Sequence, residues 1–190
     1  MSDTFAAPSL PPGRTLDLPG RGRTFIREVA GPPGAPTLLL LHGLGATADL
    51  NWFTAYSALG RHFHVVAMDH RGHGRGIRSR TRFRLADCAD DAAAVCDALG
   101  ISSVVAVGYS MGGPISQLLW QRHRSLVSGL VLCATSRNFA GHPREQAMFM
   151  TMPVVSGAAR LVPGNVWRRV GDRTVGRRVD GQPFGAWAAS

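Results

Sequence analysis

Short, mostly apolar runs alternate along this chain with longer segments in which apolar residues recur every three or four positions. Thr37 to Leu41, Phe63 to Met68, Val104 to Val107 and Val127 to Ala134 are runs of the first kind, and they predict buried strands covered on both faces. Leu85, Cys88, Ala92, Val95, Cys96 and Leu99 repeat at three, four and seven, which predicts an amphipathic helix stopped by Gly100. Trp52, Phe53, Tyr56 and Leu59 predict a shorter helix, capped by Asp49 or Asn51 and closed by Gly60. Ile115, Leu118, Leu119 and Arg122 carry helical spacing after the third apolar run. Near the start, Thr15 to Leu18 and Thr24 to Ala30 flank Pro19-Gly20-Arg21-Gly22, a turn by composition, and predict a hairpin. Strand and helix alternate from residue 37 to residue 136, so the expected fold is α/β with a mostly parallel sheet and helices on both faces.

The two ends have a different character. Residues 1–13 hold too much proline and too little apolar surface to pack, and a disordered arm is expected there. Residues 14–136 form the expected core. From 137 to 190 the pattern predicts helical pieces with no strand between them. Met148, Phe149, Met150 and Met152 in that part suit either helix packing or the roof of a pocket for a flexible apolar ligand.

Composition narrows the function classes. A chain of 190 residues with 45% hydrophobic content supports one domain with a sizeable core. The net charge of +9 comes from arginine alone, since lysine is absent. Solvated surface, or attraction to an anionic substrate or membrane surface, accounts for it; no nucleic-acid partner is expected, because no reader motif or aromatic interleaving accompanies the arginines. No stretch is long and apolar enough to insert stably in a membrane, and the start lacks the pattern of a secretory leader, so a cytoplasmic location is expected. Cys88, Cys96 and Cys133 lack metal or disulfide spacing, and neither a metal nor a cofactor is expected. The oligomeric state is not legible.

The chemistry sits in Val104 to Gly113, where Gly108-Tyr109-Ser110-Met111-Gly112 joins an apolar run to a helical segment. G-x-S-x-G arises by chance in glycine-rich chains, but a strand before it and a helix after it are the context of a nucleophile elbow, which holds a serine hydroxyl above the sheet. Two further loops follow predicted strands: His42-Gly43-Leu44-Gly45, and Asp69-His70-Arg71-Gly72-His73-Gly74. These three motifs, in this order, resemble the α/β-hydrolase superfamily, within it the branch of small serine esterases, lipases and cofactor-free haloperoxidases. The resemblance covers roughly residues 15 to 136, with residues 137–190 resembling the start of the helical cap.

The resemblance implies Ser110 as nucleophile, with the backbone N–H groups of Leu44 and Met111 donating to the oxyanion. His42, with Gly43 and Gly45, would shape the oxyanion loop, and Asp69 would bond the turn that follows it. Gly108 and Gly112 would let the elbow form, while His70 and His73 are expected at the surface. The family order of serine, acid and histidine is not completed here. His123 lies 13 residues past Ser110, about 20 Å along a helix, and His142 falls early in the cap. The chain therefore resembles an N-terminal portion lacking the last strands with their acid and histidine loops. The implied function is hydrolysis of an ester or similar acyl bond in an apolar small molecule. Cofactor-free perhydrolase or carbon–carbon hydrolase chemistry on the same fold is the alternative, as is a truncated, non-catalytic remnant.

Overall fold

The computed structural model describes residues 10–136, which lie within one compact unit, Pro8–Arg137. Six strands form one sheet in the order β1-β2-β4-β3-β5-β6: β1 Gly13–Leu18, β2 Gly22–Val29, β3 Thr37–Leu41, β4 His64–Met68, β5 Val104–Tyr109 and β6 Val127–Cys133. The β1–β2 hairpin is antiparallel and joins antiparallel to β4, while β4, β3, β5 and β6 run parallel. The helices are α1 Ala48–Trp52, α2 Tyr56–Gly60, α3 Leu85–Ala98 and α4 Gly112–Arg122.

The pleat divides the apolar runs between two cores. Leu39, Leu41, Val66 and Met68 pack with Cys88, Ala92, Val95, Ile115 and Leu119 from α3 and α4. Their neighbours Leu38, Leu40, Val65 and Ala67 face the other way, against Trp52 and Tyr56 from α1 and α2. A strand buried on both sides has no polar face to alternate with, which is why these runs are continuously apolar. Truncating one of these leucines, such as the fully buried Leu40, to alanine costs about 2–5 kcal/mol.

Several boundaries and burial patterns differ from the expectation. The predicted disordered arm over residues 1–13 is ordered at its end. β1 begins at Gly13, Leu10 packs on the second core, and the carbonyls of Pro11 and Pro12 accept from the Arg27 guanidinium and the Glu28 N–H. The single helix expected before Gly60 is two short ones, because the chain tightens at Ala55, whose N–H donates to the Trp52 carbonyl at 2.8 Å. Neither Asp49 nor Asn51 caps α1; Thr47 does, its hydroxyl accepting the Leu50 N–H at 3.1 Å. β6 is not fully buried: Val131 and Leu132 are 44% and 45% exposed, since β6 pairs only with β5 among the described residues. The expected cap over 137–190, its Met and Phe residues, and His142 lie outside the described residues.

Candidate active site

β5 ends at Tyr109, and the chain turns into α4 through Ser110 and Met111. Ser110 has φ 51°, a left-handed conformation that costs a non-glycine residue about 1–2 kcal/mol. Three bonds hold it there. Its N–H donates to the Cys133 carbonyl at 3.0 Å, and its carbonyl accepts the Gly113 N–H at 2.9 Å and the Thr135 hydroxyl at 2.7 Å. The flanking glycines are required by close approach. A Cβ on Gly108 would overlap the Gly112 carbonyl, and one on Gly112 would overlap the Leu41 carbonyl at the end of β3. The hydroxyl-bearing residue is thus half-buried at the C-terminal edge of the parallel strands.

The loop after β3 lies beside it. A Cβ placed on Gly43 would sit 3.3 Å from the Ser110 Cβ and 3.3 Å from the Tyr109 ring. The Gly43 N–H donates to Asn51 Oδ1 at 2.7 Å, which fixes the peptide leading to Leu44. Among the described residues, no bonded partner takes the N–H of Leu44 or of Met111. The sequence offers Asn51 only as a cap; its place against Gly43 comes from the path of the 44–47 loop and the setting of α1, which no local pattern encodes.

His42 is wholly buried, and both ring nitrogens are used. Nε2 accepts the His70 N–H at 2.9 Å, so Nδ1 carries the proton and donates to the Gly43 carbonyl at 2.8 Å. Burial pushes its pKa down to about 4, and the ring is neutral at pH 7. Such a ring is a strut between the β3 and β4 loops and has no free nitrogen for Ser110. Asp69, also buried, accepts the Ala48 N–H at 2.8 Å through Oδ1 and the Arg75 N–H at 2.8 Å through Oδ2. It ties the turn after β4 to the start of α1.

His70 departs from the surface position expected of it. It is fully buried, its ring 4.3 Å from that of His42, and burial holds its pKa well below the ordinary value. Both its ring nitrogens are buried without a hydrogen-bond partner among the described residues. His73 is half-buried, with Nδ1 at 3.1 Å from the Arg71 carbonyl. Although the rings of His42, His70 and His73 neighbour one another, no group of three or more metal-ligating side chains converges among the described residues. His123 ends α4 and pairs with Asp90 at 2.8 Å. Among the described residues, no imidazole hydrogen-bonds the Ser110 hydroxyl. Cys88 and Cys96 are buried thiols, each pushed up to about 12 by burial, and so remain protonated and unreactive.

The sheet order, the strained serine and its two neighbouring loops agree with a match to the family model for the alpha/beta hydrolase fold over residues 36–171. The chain belongs to the α/β-hydrolase family. Over 101 residues it is 39% identical to the "Putative carbamate hydrolase RutD" of Serratia proteamaculans, covering 53% of this chain and 38% of that protein. The structure of Est816, an N-acyl homoserine lactone degrading enzyme, is similar with a TM-score of 0.65 and 25% identity, over 93% of this chain and 66% of that one. The enol-lactonase from Burkholderia xenovorans LB400 is similar with a TM-score of 0.58 and 27% identity, over 65% of this chain and 47% of that one. The chain spans less than half the length of the first curated relatives it matches. No helix among the described residues is long and apolar enough to cross a membrane.

Proposed function

We propose that this chain carries the nucleophile and oxyanion loop of a serine hydrolase that cleaves an ester or similarly activated acyl bond through an acyl-enzyme. The observation that carries the reading is Ser110 at φ 51° between β5 and α4, next to the Gly43–Leu44 loop. A backbone strained at one serine, and braced by three hydrogen bonds, is expected where a side chain is held for chemistry. The names of similar proteins support the bond type: lactones are cyclic esters, and a carbamate is likewise attacked at a carbonyl carbon.

In this reading the Ser110 oxygen attacks the acyl carbon while an imidazole from outside the described residues takes its proton. The former carbonyl oxygen becomes an oxyanion and accepts from the N–H groups of Leu44 and Met111. Its collapse expels the leaving group, which receives the proton from the imidazolium. Water then attacks the acyl carbon with the same imidazole as base, releasing the acid and restoring the Ser110 hydroxyl.

The test is fluorophosphonate labelling of a preparation that hydrolyses a p-nitrophenyl ester. The expected result is one adduct, at Ser110, with both labelling and turnover lost in Ser110→Ala. An active preparation labelled at another residue, or a fully active Ser110→Ala variant, overturns the proposal.

A further inference from the structure

Away from Ser110, a cavity of about 510 Å³ lies between the β1–β2 turn, the loop after β4 and the start of α3. Arg21, Arg71, Arg82 and Arg84 line it, and no aromatic side chain does. Two of these arginines are fixed by one buried carboxylate. Asp91, 0% exposed in its side chain, accepts Arg71 Nε and Arg21 Nε, both at 2.6 Å. Arg71 Nη2 adds a second bond to Asp91 at 2.7 Å, and Arg21 Nη2 donates to the Asp87 carbonyl at 3.1 Å. Both guanidiniums are therefore set before anything binds, with their remaining N–H groups available to a ligand.

The other two arginines, Arg82 and Arg84, like Arg61, Arg78, Arg80 and Arg124, have no carboxylate partner among the described residues. Arg14, Arg23, Arg27, Arg75 and Arg122 each lie against one. Four guanidiniums against the carboxylates of Asp87 and Asp91 leave a surplus of two positive charges around one hollow. Ser79 and Thr81 add hydroxyls, paired with each other at 2.8 Å.

From this we infer a second site, which binds a small phosphomonoester. A phosphate dianion matches the charge surplus, its oxygens match guanidinium forks, and the volume leaves room for a compact organic group beside it. Single carboxylates leave one charge unmatched. The lining residues are confined to the β1–β2 turn, the loop after β4 and the start of α3, a patch that suits a small soluble molecule over an extended polyanion.

Equilibrium dialysis of the chain against inorganic phosphate, glycerol phosphate and glycerol, at an ionic strength of about 0.15 M, tests the site. Both phosphates are expected to bind and glycerol is not. Replacing Arg82→Gln with Arg84→Gln together is expected to weaken binding by at least about tenfold, with an unchanged melt because both side chains are exposed. The matched double variant Arg61→Gln with Arg124→Gln removes equal charge elsewhere and should leave binding unchanged. The same chain is also sedimented with phosphatidylcholine vesicles containing phosphatidic acid, with free glycerol phosphate as competitor; little sedimentation, or full release by the competitor, is expected. No phosphate binding at that ionic strength, equal losses in the two double variants, or vesicle binding that glycerol phosphate does not compete would each overturn the inference.

Discussion

The backbone N–H of His70 donates to Nε2 of His42 at 2.9 Å, so the loop after β4 and the loop after β3 are joined through one neutral, buried imidazole. Protonating that imidazole removes the acceptor and places a charge where no water solvates it. With the folded-state pKa near 4 against an ordinary 6.5, the unfolded chain binds the proton first. Stability is therefore complete above about pH 6.5 and falls as the pH drops toward 4, by up to about 3 kcal/mol from this group. Urea unfolding across that window should show the fall, and His42→Gln, which does not titrate, should reduce it, leaving the part that buried His70 contributes by the same linkage. A transition midpoint independent of pH in the parent chain would contradict the assignment.

His70 itself contributes to this joint only through its main chain. Its two ring nitrogens are buried without partners, a cost of about 1–3 kcal/mol that an apolar side chain of similar size avoids. His70→Leu is therefore expected to raise stability by about 1 kcal/mol, read from the urea midpoint. A loss of similar size would mean that the ring makes a bond outside the described residues.

Asn51 is expected to act on rate through Gly43. Losing its Oδ1 frees the Gly43 N–H and loosens the peptide that presents Leu44. In an esterase-active preparation, Asn51→Ala should lower kcat by about 10- to 100-fold, a fraction of the loss when an oxyanion donor is removed outright, with little change in KM. Asn51→Asp keeps the acceptor and should restore most of the rate. Equal effects on kcat and KM in both variants would make Asn51 a general stability residue instead.

Ser110 has no imidazole within hydrogen-bonding distance among the described residues. If the base lies beyond these 190 residues, they are expected to turn over esters about a million-fold more slowly than a form that carries it, as loss of a catalytic histidine does elsewhere. His142 offers the rival. Ordinary esterase rates from these 190 residues, abolished by both His142→Ala and Ser110→Ala, would establish a rearranged Ser–His pair.

The outer edge of β6 carries apolar side chains on both faces, Val131 at 44% and Leu132 at 45% exposure. An open strand edge with such residues templates association. Light scattering should find the chain self-associated at micromolar concentration, and Leu132→Lys should shift it toward monomer. A monomeric parent with a sharp cooperative melt would show the edge to be covered.

Where neighbours along the chain set the physics, the sequence alone was sufficient. Thr37–Leu41 and the α3 repeat from Leu85 are legible because burial on both faces, or on one stripe, writes itself into periodicity. The elbow is legible because Gly108 and Gly112 answer steric demands within a few residues of Ser110, and three ordered motifs narrowed the family further. Other features were decided by contacts between distant segments. His70 reads as a polar loop residue, yet the packing of β3 against β4 puts it beside His42. Asn51 reads as a cap, yet the 44–47 loop and α1 bring it to Gly43 while Thr47 takes the capping bond. β6 reads as a strand buried on both faces, yet Val131 and Leu132 are exposed where β6 pairs only with β5 among the described residues. Local sterics and periodicity act through the covalent chain and leave a trace in it, whereas a partner tens of residues away leaves none until the sheet brings the two together.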